Sequence, residues 1–246
     1  MHRDKFLKLY QHGRRDFSGE KFYGFDLSGV DLNGAILRRV DFCEANLSGA
    51  DLSRADLCGA NMIKANLSQA YLTQANLNGA QLADSNFTNT LLSDSSFIRS
   101  NLVQANLFQA NLCRADLQGA DLSRANLSGA DLTQANLKSA ILDEAHLEKA
   151  ILVDADLSNA CIRFAHLAEA HLCRANLTKA RLDCTDLRYA ILSQATFTYA
   201  TFRAAKLLNA DLSQADLTRA SLQYTNLAQA YLEGSLLPPS ALPPSD

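Results

Sequence analysis

The sequence has no tryptophan, and it contains only four prolines, two methionines and 7% aromatic residues. Ala and Leu dominate its 48% apolar fraction, which is unusual for an ordinary globular protein. No apolar run approaches the roughly 18 residues of a membrane-spanning helix, and the charges scattered over residues 1–10 predict no secretory signal. A formal net charge of −3 argues against a basic nucleic-acid binder and against a strongly acidic tail protein.

Recognisable catalytic and metal-binding motifs are also lacking. The six cysteines show no Cys-x-x-Cys spacing, which argues against a zinc site and a disulfide framework. We therefore expect reduced thiols in a reducing compartment and a cytoplasmic location. No triad signature, Walker loop, Gly-x-Gly-x-x-Gly or His-Glu-x-x-His motif occurs, so we expect neither enzymatic activity nor a cofactor.

What the sequence does contain is a repeat of five residues. Leu or another large apolar residue recurs at every fifth position from Phe17 to Leu232, which makes 44 repeats. We call this position i. Position i−2 is Ala in 33 repeats, and position i−1 is Asp in 13 and Asn in 12. Ala50-Asp51-Leu52-Ser53-Arg54 shows the consensus.

A period of five fits neither a helix nor a straight strand. Five residues advance about 500° on a helix, and an odd number of strand residues reverses the face. Every Leu can point inward only if the chain turns once per repeat. We predict a short extended piece from i−2 to i, with i−2 and i pointing inward, and a corner at i+1 and i+2.

The glycines support this prediction. Ten of the 11 glycines lie at i+2, which is the third residue of a turn that begins at i. A type II turn needs a positive φ at that position, where glycine is least costly. Because most corners have no glycine, we expect those corners to use type I or more open turns.

A 20-residue block gives a weak indication of the coil length. Four successive i−2 positions lose their alanine, and the alanine returns at Ala105: Ser85, Thr90, Ser95 and Ser100. This block favours four repeats per coil.

The run from Ala45, A-N-L-S-G-A-D-L-S-R-A-D-L-C-G-A-N, resembles the pentapeptide repeat protein family over residues 15–234. The resemblance implies an all-β fold, a right-handed quadrilateral β-helix of about 11 coils.

The two ends of such a rod need caps, since each end exposes apolar side chains and unpaired backbone. Residues 1–14 alternate apolar and charged residues and end near Gly13, which predicts a short N-terminal capping helix. Residues 15–234 form the repeats. Residues 235–246 form a Pro-rich C-terminal tail, either disordered or lying across the last coil through Leu236, Leu237 and Leu242.

Two polar features suggest specific functions, and each has a simpler interpretation. One outward column would contain three residues spaced 20 apart: His146, His166 and Asp186. Two histidines and a carboxylate could bind a metal ion. The simpler interpretation is a polar surface that continues an Asn ladder. The 13 Asp residues at i−1 could mimic DNA phosphates, or they could simply support the turns. Residues 15–234 carry a net charge of only −5, and Arg54, Arg114 and Arg174 interrupt any acidic stripe.

Outward-facing apolar residues are the more informative signal, because an exposed apolar cluster indicates a contact surface. They form our candidate interaction surface: Tyr71, Leu91, Ile151, Val153, Tyr189, Ile191, Leu208 and Tyr231. We expect a protein-protein interaction scaffold with an unknown protein partner, no nucleic acid, no membrane, and a possible weak homodimer through this surface. The alternative is a DNA mimic that binds a type II topoisomerase (gyrase), since the resemblance implies that such relatives exist. Those relatives tend to be strongly acidic and to dimerise through a C-terminal helix.

Overall fold

The structure is a computed structural model that describes residues 3–239. Within that range the chain forms one helix, α1 (Arg3–Gln11), followed by a rod of stacked coils. Each repeat contributes a single β-bridge residue, at position i−1, and each bridge is parallel and joins residues 20 apart, from Asp16 with Ile36 to Asp216 with Leu236. One coil is therefore 20 residues, or four repeats, as the altered block indicated.

Successive coils are joined by a regular ladder of backbone hydrogen bonds. The N–H of Leu127 donates to the carbonyl of His146 at 2.6 Å, and the N–H of Gly129 donates to that of Glu148 at 2.9 Å. Within the corner, the N–H of Ala130 donates back to the carbonyl of Leu127 at 3.0 Å, which closes the turn. Because the preceding and next coils together supply most partners, the rod is stabilised by the stacking of neighbouring coils.

The corners are more uniform than the sequence suggested. Besides the ten glycines at i+2, 33 other residues at i+2 have positive φ, between 52° and 63°. A type I turn has φ near −90° at its third residue, so the expectation of type I turns at corners without glycine is wrong. The stacked coil imposes one corner geometry, and residues as bulky as Phe164 (φ 59°) adopt it.

Side chains at i−1 support these corners. The carboxylate of Asp51 accepts the N–H of Ser53 at 2.9 Å, and the amide oxygen of Asn126 accepts the N–H of Ser128 at 3.1 Å. Asp and Asn thus make the same contact, which confirms their predicted role as turn-supporting residues.

The interior is filled by the i−2 and i side chains, which are buried along the rod. In the altered coil, Ser and Thr replace Ala, and each added hydroxyl has a hydrogen-bond partner. The hydroxyl of Ser85 donates to the carbonyl of Leu82 at 2.5 Å, and that of Thr90 donates to Leu67 of the preceding coil at 2.8 Å. These bonds explain why one coil tolerates hydroxyl groups in an apolar core.

The N-terminal end is covered by α1, as predicted. Phe6 is fully buried, and its ring lies 4.6 Å from both Phe17 and Phe22 between centroids. Gly13 follows the helix with φ 95°, and its N–H donates to the carbonyl of Tyr10. This is the glycine termination that the sequence indicated.

The C-terminal end differs from the rest of the rod. The ladder continues to Leu236, whose N–H donates to the carbonyl of Ala215, so pairing extends past the expected boundary at residue 234. Inward residues of the last coil are only partly buried: Leu222, Leu227, Leu232 and Leu237. The predicted contact of Leu242 lies outside the described residues.

Candidate interaction surfaces

The four sides of the rod present four columns of bridge residues. We call the column that runs every 20 residues from Asp31 to Tyr231 the apolar face, and the column from Asp26 to Asn226 the histidine face. The residues at i+2 that follow the apolar face, every 20 residues from Gly34 to Gly234, form the charged corner.

The apolar face brings together most of the predicted interaction residues. Tyr71 and Leu91 are directly bridged neighbours and are 49% and 41% exposed. Ile151 and Ile191 flank His171 on three successive coils, with Ile151 exposed and Ile191 half-buried. The face thus holds two apolar stretches, separated by polar rungs.

The remaining predicted residues lie at the margins of this face. Val153 is half-buried beside Ile151, and Tyr231 is exposed two coils beyond Ile191. Tyr189 is exposed at the corner between the histidine and apolar faces. The structure therefore joins Val153, Tyr189 and Tyr231 to the edges of the apolar face.

Leu208 lies at the same corner as Tyr189, one coil further along. It lines a surface groove of about 340 Å³ together with Arg188, Lys206 and Tyr224. The groove lies where the ladder is irregular, because the N–H of Asn209 bonds to the carbonyl of Gln229 one residue beyond the usual partner. The carbonyl of Leu208 accepts the N–H of Tyr189 at 2.9 Å, so Leu208 adjoins the apolar face at the same edge as Tyr189.

The charged corner contains ion pairs that the sequence analysis missed. The guanidinium of Arg114 donates two hydrogen bonds of 2.7 Å to the carboxylate of Asp94 on the preceding coil, and Arg174 does the same to Asp154. Each guanidinium holds the pKa of its carboxylate partner below the ordinary value. The 20-residue spacing of Asp94 and Arg114 would have revealed the pair once the coil length was known.

The histidine face confirms the predicted column. His146, His166 and Asp186 occupy successive coils, and the two imidazole rings stack with centroids 4.7 Å apart. The Asp186 carboxylate accepts bonds from the Arg188 side chain, the shortest of 2.6 Å, and among residues 3–239 no group of three His, Cys, Asp or Glu is arranged to hold a metal ion. Asp186 is thus engaged by its neighbour on the same coil.

Toward the N-terminus the same face is an Asn ladder. The Asn66 amide nitrogen donates to the Asn46 amide oxygen at 3.1 Å, and Asn86 donates to Asn66 at the same distance. This confirms the ladder interpretation of that part of the column.

The six cysteines are free thiols in the described part of the chain. Burial, and secondarily the Asp143 carboxylate, raises the pKa of the Cys161 thiol. Over residues 3–239, α1 is too short to cross a membrane and no longer helix is found.

Comparisons with known proteins agree with this geometry. The family model described as pentapeptide repeats matches residues 26–62, 50–89, 162–194 and 195–234, and the model described as a pentapeptide repeat region matches residues 70–147. No curated protein matches the chain.

Solved structures with the same repeat are similar to this chain. HetL from the cyanobacterium Nostoc, a pentapeptide repeat protein involved in heterocyst differentiation regulation, is 29% identical, with a TM-score of 0.56 over 97% of this chain and 93% of that chain. Full-length QnrB1, a plasmid-mediated fluoroquinolone resistance protein, is 17% identical, with a TM-score of 0.44 over 92% of this chain and 94% of that chain. The fold is a right-handed β-helix, as the sequence resemblance implied.

Proposed function

Because the chain belongs to the pentapeptide repeat family, we propose that it is a non-enzymatic scaffold that binds another protein through its apolar face. The observation that supports this proposal is the exposure of large apolar side chains on a flat column, led by Tyr71, Leu91 and Ile151. Exposed apolar side chains that line up in one strip favour a contact surface over isolated surface residues.

The filled interior also supports a binding role. The inside of every coil from Ala35 to Leu217 is occupied mainly by Ala and Leu, with a few Phe, Val, Ile and Met side chains at the same positions. These side chains are almost entirely buried. Ligand pockets are concave and mostly apolar, whereas this apolar volume is taken by the protein itself. The long outer faces remain as the surfaces on which a solenoid presents contacts.

The test is affinity capture from the lysate of the native host with face-specific variants. The apolar-face variant carries Leu91→Lys and Ile151→Lys. The control carries Gln81→Lys and Asn101→Lys, which add the same charge to the opposite face. We expect a protein that is retained by wild type and by the control but lost with the apolar-face variant. Capture of the same proteins by all three would contradict the proposal.

The alternative, a DNA mimic that binds gyrase, finds less support in the charge distribution. A phosphate-like surface needs uncompensated carboxylates, whereas Asp56 and Asp186 at i−1 are paired with Arg38 and Arg188, and Asp94 and Asp154 at the charged corner are paired with arginines of the next coil. We expect no inhibition of gyrase supercoiling at stoichiometric amounts of this protein. Potent inhibition would favour the DNA mimic over the scaffold.

A further inference from the structure

The charged corner repeats every three coils. From Arg54 onward it follows an order of arginine, glutamine and aspartate, twice over, and then begins again: Arg54, Gln74, Asp94, Arg114, Gln134, Asp154, Arg174 and Gln194. All of these residues are exposed and share the left-handed corner conformation, so they project from equivalent places. A period of three coils has no role in building a coil of 20 residues, so it is a property of the surface.

The order creates two identical ion pairs that point in the same direction. Asp94 precedes Arg114, and Asp154 precedes Arg174, with matching bond lengths of 2.7 Å. The two pairs are related by 60 residues, and Gln134 lies midway between them. When a second copy of this surface is turned by 180° so that its rod runs the opposite way, each Asp of one copy lies opposite an Arg of the other.

We infer that a second copy of this chain binds the apolar face and charged corner in antiparallel orientation, with the two-fold axis at the coil of Gln134. In this register Asp94 faces Arg174 of the second copy, and Arg114 faces Asp154 of the second copy. Two Asp–Arg contacts therefore form on each side of the two-fold axis, which makes four contacts per dimer. The inference rests on the proposed function, because it names the partner of the same apolar face.

A slide by three coils keeps Asp–Arg contacts at the corner but sets Tyr71 against Asp131 and Ile151 against Asp51, whereas a slide by one coil loses the charge complementarity itself. Sliding one copy along the other by a single coil places Asp94 opposite Asp154 in one direction and Arg114 opposite Arg174 in the other. A parallel dimer places the two charged corners at opposite edges of the interface, so Asp94 and Arg114 do not meet Arg174 and Asp154 of the second copy. Like charges set against each other are destabilising and reject the wrong arrangement.

The neighbouring columns fit the same register. Tyr71 faces Ile191 of the second copy, Leu91 faces His171 and Ile151 faces Asn111, so one fully apolar contact lies at each end of the paired stretch. Beside them Val153 faces Cys113 of the second copy. The paired stretch from Tyr71 to Ile191 covers six coil spacings, or roughly 29 Å at about 4.8 Å each. Continuous columns are needed for this match, and each column is continuous because every bridge in the described rod joins residues 20 apart.

The register also contains unfavourable contacts, which limit the affinity. At the axis Asp131 faces Asp131 of the second copy, and further along Asp51 faces Asp211 of the second copy. Opposed carboxylates reduce the association constant, and the ionic contacts weaken with salt. The dimer is therefore weak, isologous and salt-sensitive.

Charge exchange within one ion pair provides the test. The first variant carries Asp94→Arg and Arg114→Asp, and the second carries Asp154→Arg and Arg174→Asp. Each keeps its intramolecular ion pair and net charge, so each retains the fold. Each alone should form homodimers about tenfold or more weaker than wild type in sedimentation equilibrium. An equimolar mixture should recover wild-type affinity as heterodimers, because every exchanged charge then meets its opposite.

Several outcomes would overturn the inference. These are a wild type that stays monomeric at its highest soluble concentration, single variants that dimerise as well as wild type, and a mixture no tighter than the separate variants. A monomeric wild type whose apolar face still captures another protein would refute the homodimer and leave the proposed function standing. A wild type that neither dimerises nor captures another protein through the apolar face would refute the proposed function as well.

Discussion

His146 and His166 stack face to face, with ring centroids 4.7 Å apart and ring planes 5° apart. The residues are 20 apart in sequence and directly bridged, so the ring spacing reports the rise of one coil. Every other bridge in the described rod also joins residues 20 apart, so equivalent residues of successive coils lie in one column. Each outer column of the rod can therefore be read from the printed sequence in steps of 20.

The core of the rod should depend on each inward Leu. Leu127 is fully buried in the middle of the rod, so Leu127→Ala should lower the free energy of unfolding by about 2–5 kcal/mol. Leu127→Asp should be more severe, because it buries an unpaired charge. Urea unfolding followed by circular dichroism measures both.

The matched control for this prediction is Leu232→Ala. Leu232 occupies the same repeat position but is only partly buried in the last coil, so its loss should cost clearly less. Equal costs at the two positions would show that the interior does not stabilise the rod as the burial pattern indicates.

The uniform corners predict that some residues are better replaced by glycine. Ser139 has φ 58°, a conformation that costs a non-glycine residue roughly 1–2 kcal/mol. Ser139→Gly removes that cost but loosens the unfolded chain, so the net gain should be about 0.5 kcal/mol. The urea midpoint should rise.

The adjacent residue supplies the control. Lys138 lies in the same corner without a positive φ, so Lys138→Gly should destabilise the protein by about 0.5–1 kcal/mol. The turn prediction fails if the two substitutions shift the midpoint in the same direction.

Acid should weaken the contact between Asp186 and Arg188. Hydrogen bonds from the Arg188 side chain hold the pKa of Asp186 below its ordinary value of 3.8, against the opposing effect of burial. A carboxyl group with a lowered folded pKa stabilises the protein above its unfolded pKa and loses this effect as the pH falls through the folded value.

Asp186→Asn should therefore cost about 1 kcal/mol at pH 7, and the difference from wild type should shrink as the pH falls below 3.8. Urea unfolding at a series of pH values measures the difference. A gap between wild type and variant that stays constant down to about pH 2, or widens, would refute this assignment.

The sequence predicted the fold because one pattern was repeated 44 times. The inward Leu and Ala positions, the corner glycines and the Asn ladder follow directly from that pattern. The conformation of corners without glycine did not, since a residue such as Phe164 adopts positive φ only because the coils above and below fix its backbone. Local preference alone would place it elsewhere.

The surface was harder to predict than the core. The pairing of Asp94 with Arg114 requires the coil length, which the block from Ser85 to Ser100 favoured only weakly and the family resemblance implied. Leu208, which was expected near the corner adjoining the apolar residues, lies there beside Tyr189, but the groove that it lines with Lys206 was not predicted. Outer positions are specified by stacking and by partners, and neither is encoded in a single repeat.

The capping helix gives the last prediction. Phe6 is the one fully buried residue of α1, and its ring packs against Phe17 and Phe22 of the first coil. Phe6→Ala should remove about 3–5 kcal/mol of local packing and uncover the first coil. In a solenoid each coil contacts only its neighbours, so the effect should decay along the rod.

Hydrogen exchange measures this decay residue by residue. In the Phe6→Ala variant, the N–H groups of Phe17 and Phe22, which bond to the second coil, should exchange much faster than in wild type. The N–H of Leu127, five coils further along, should exchange at its wild-type rate. A matched change at the exposed residue Lys5→Ala should leave all three rates unchanged. Uniform acceleration along the whole rod would show that the protein opens as a single cooperative unit, and that α1 does more than cap one end.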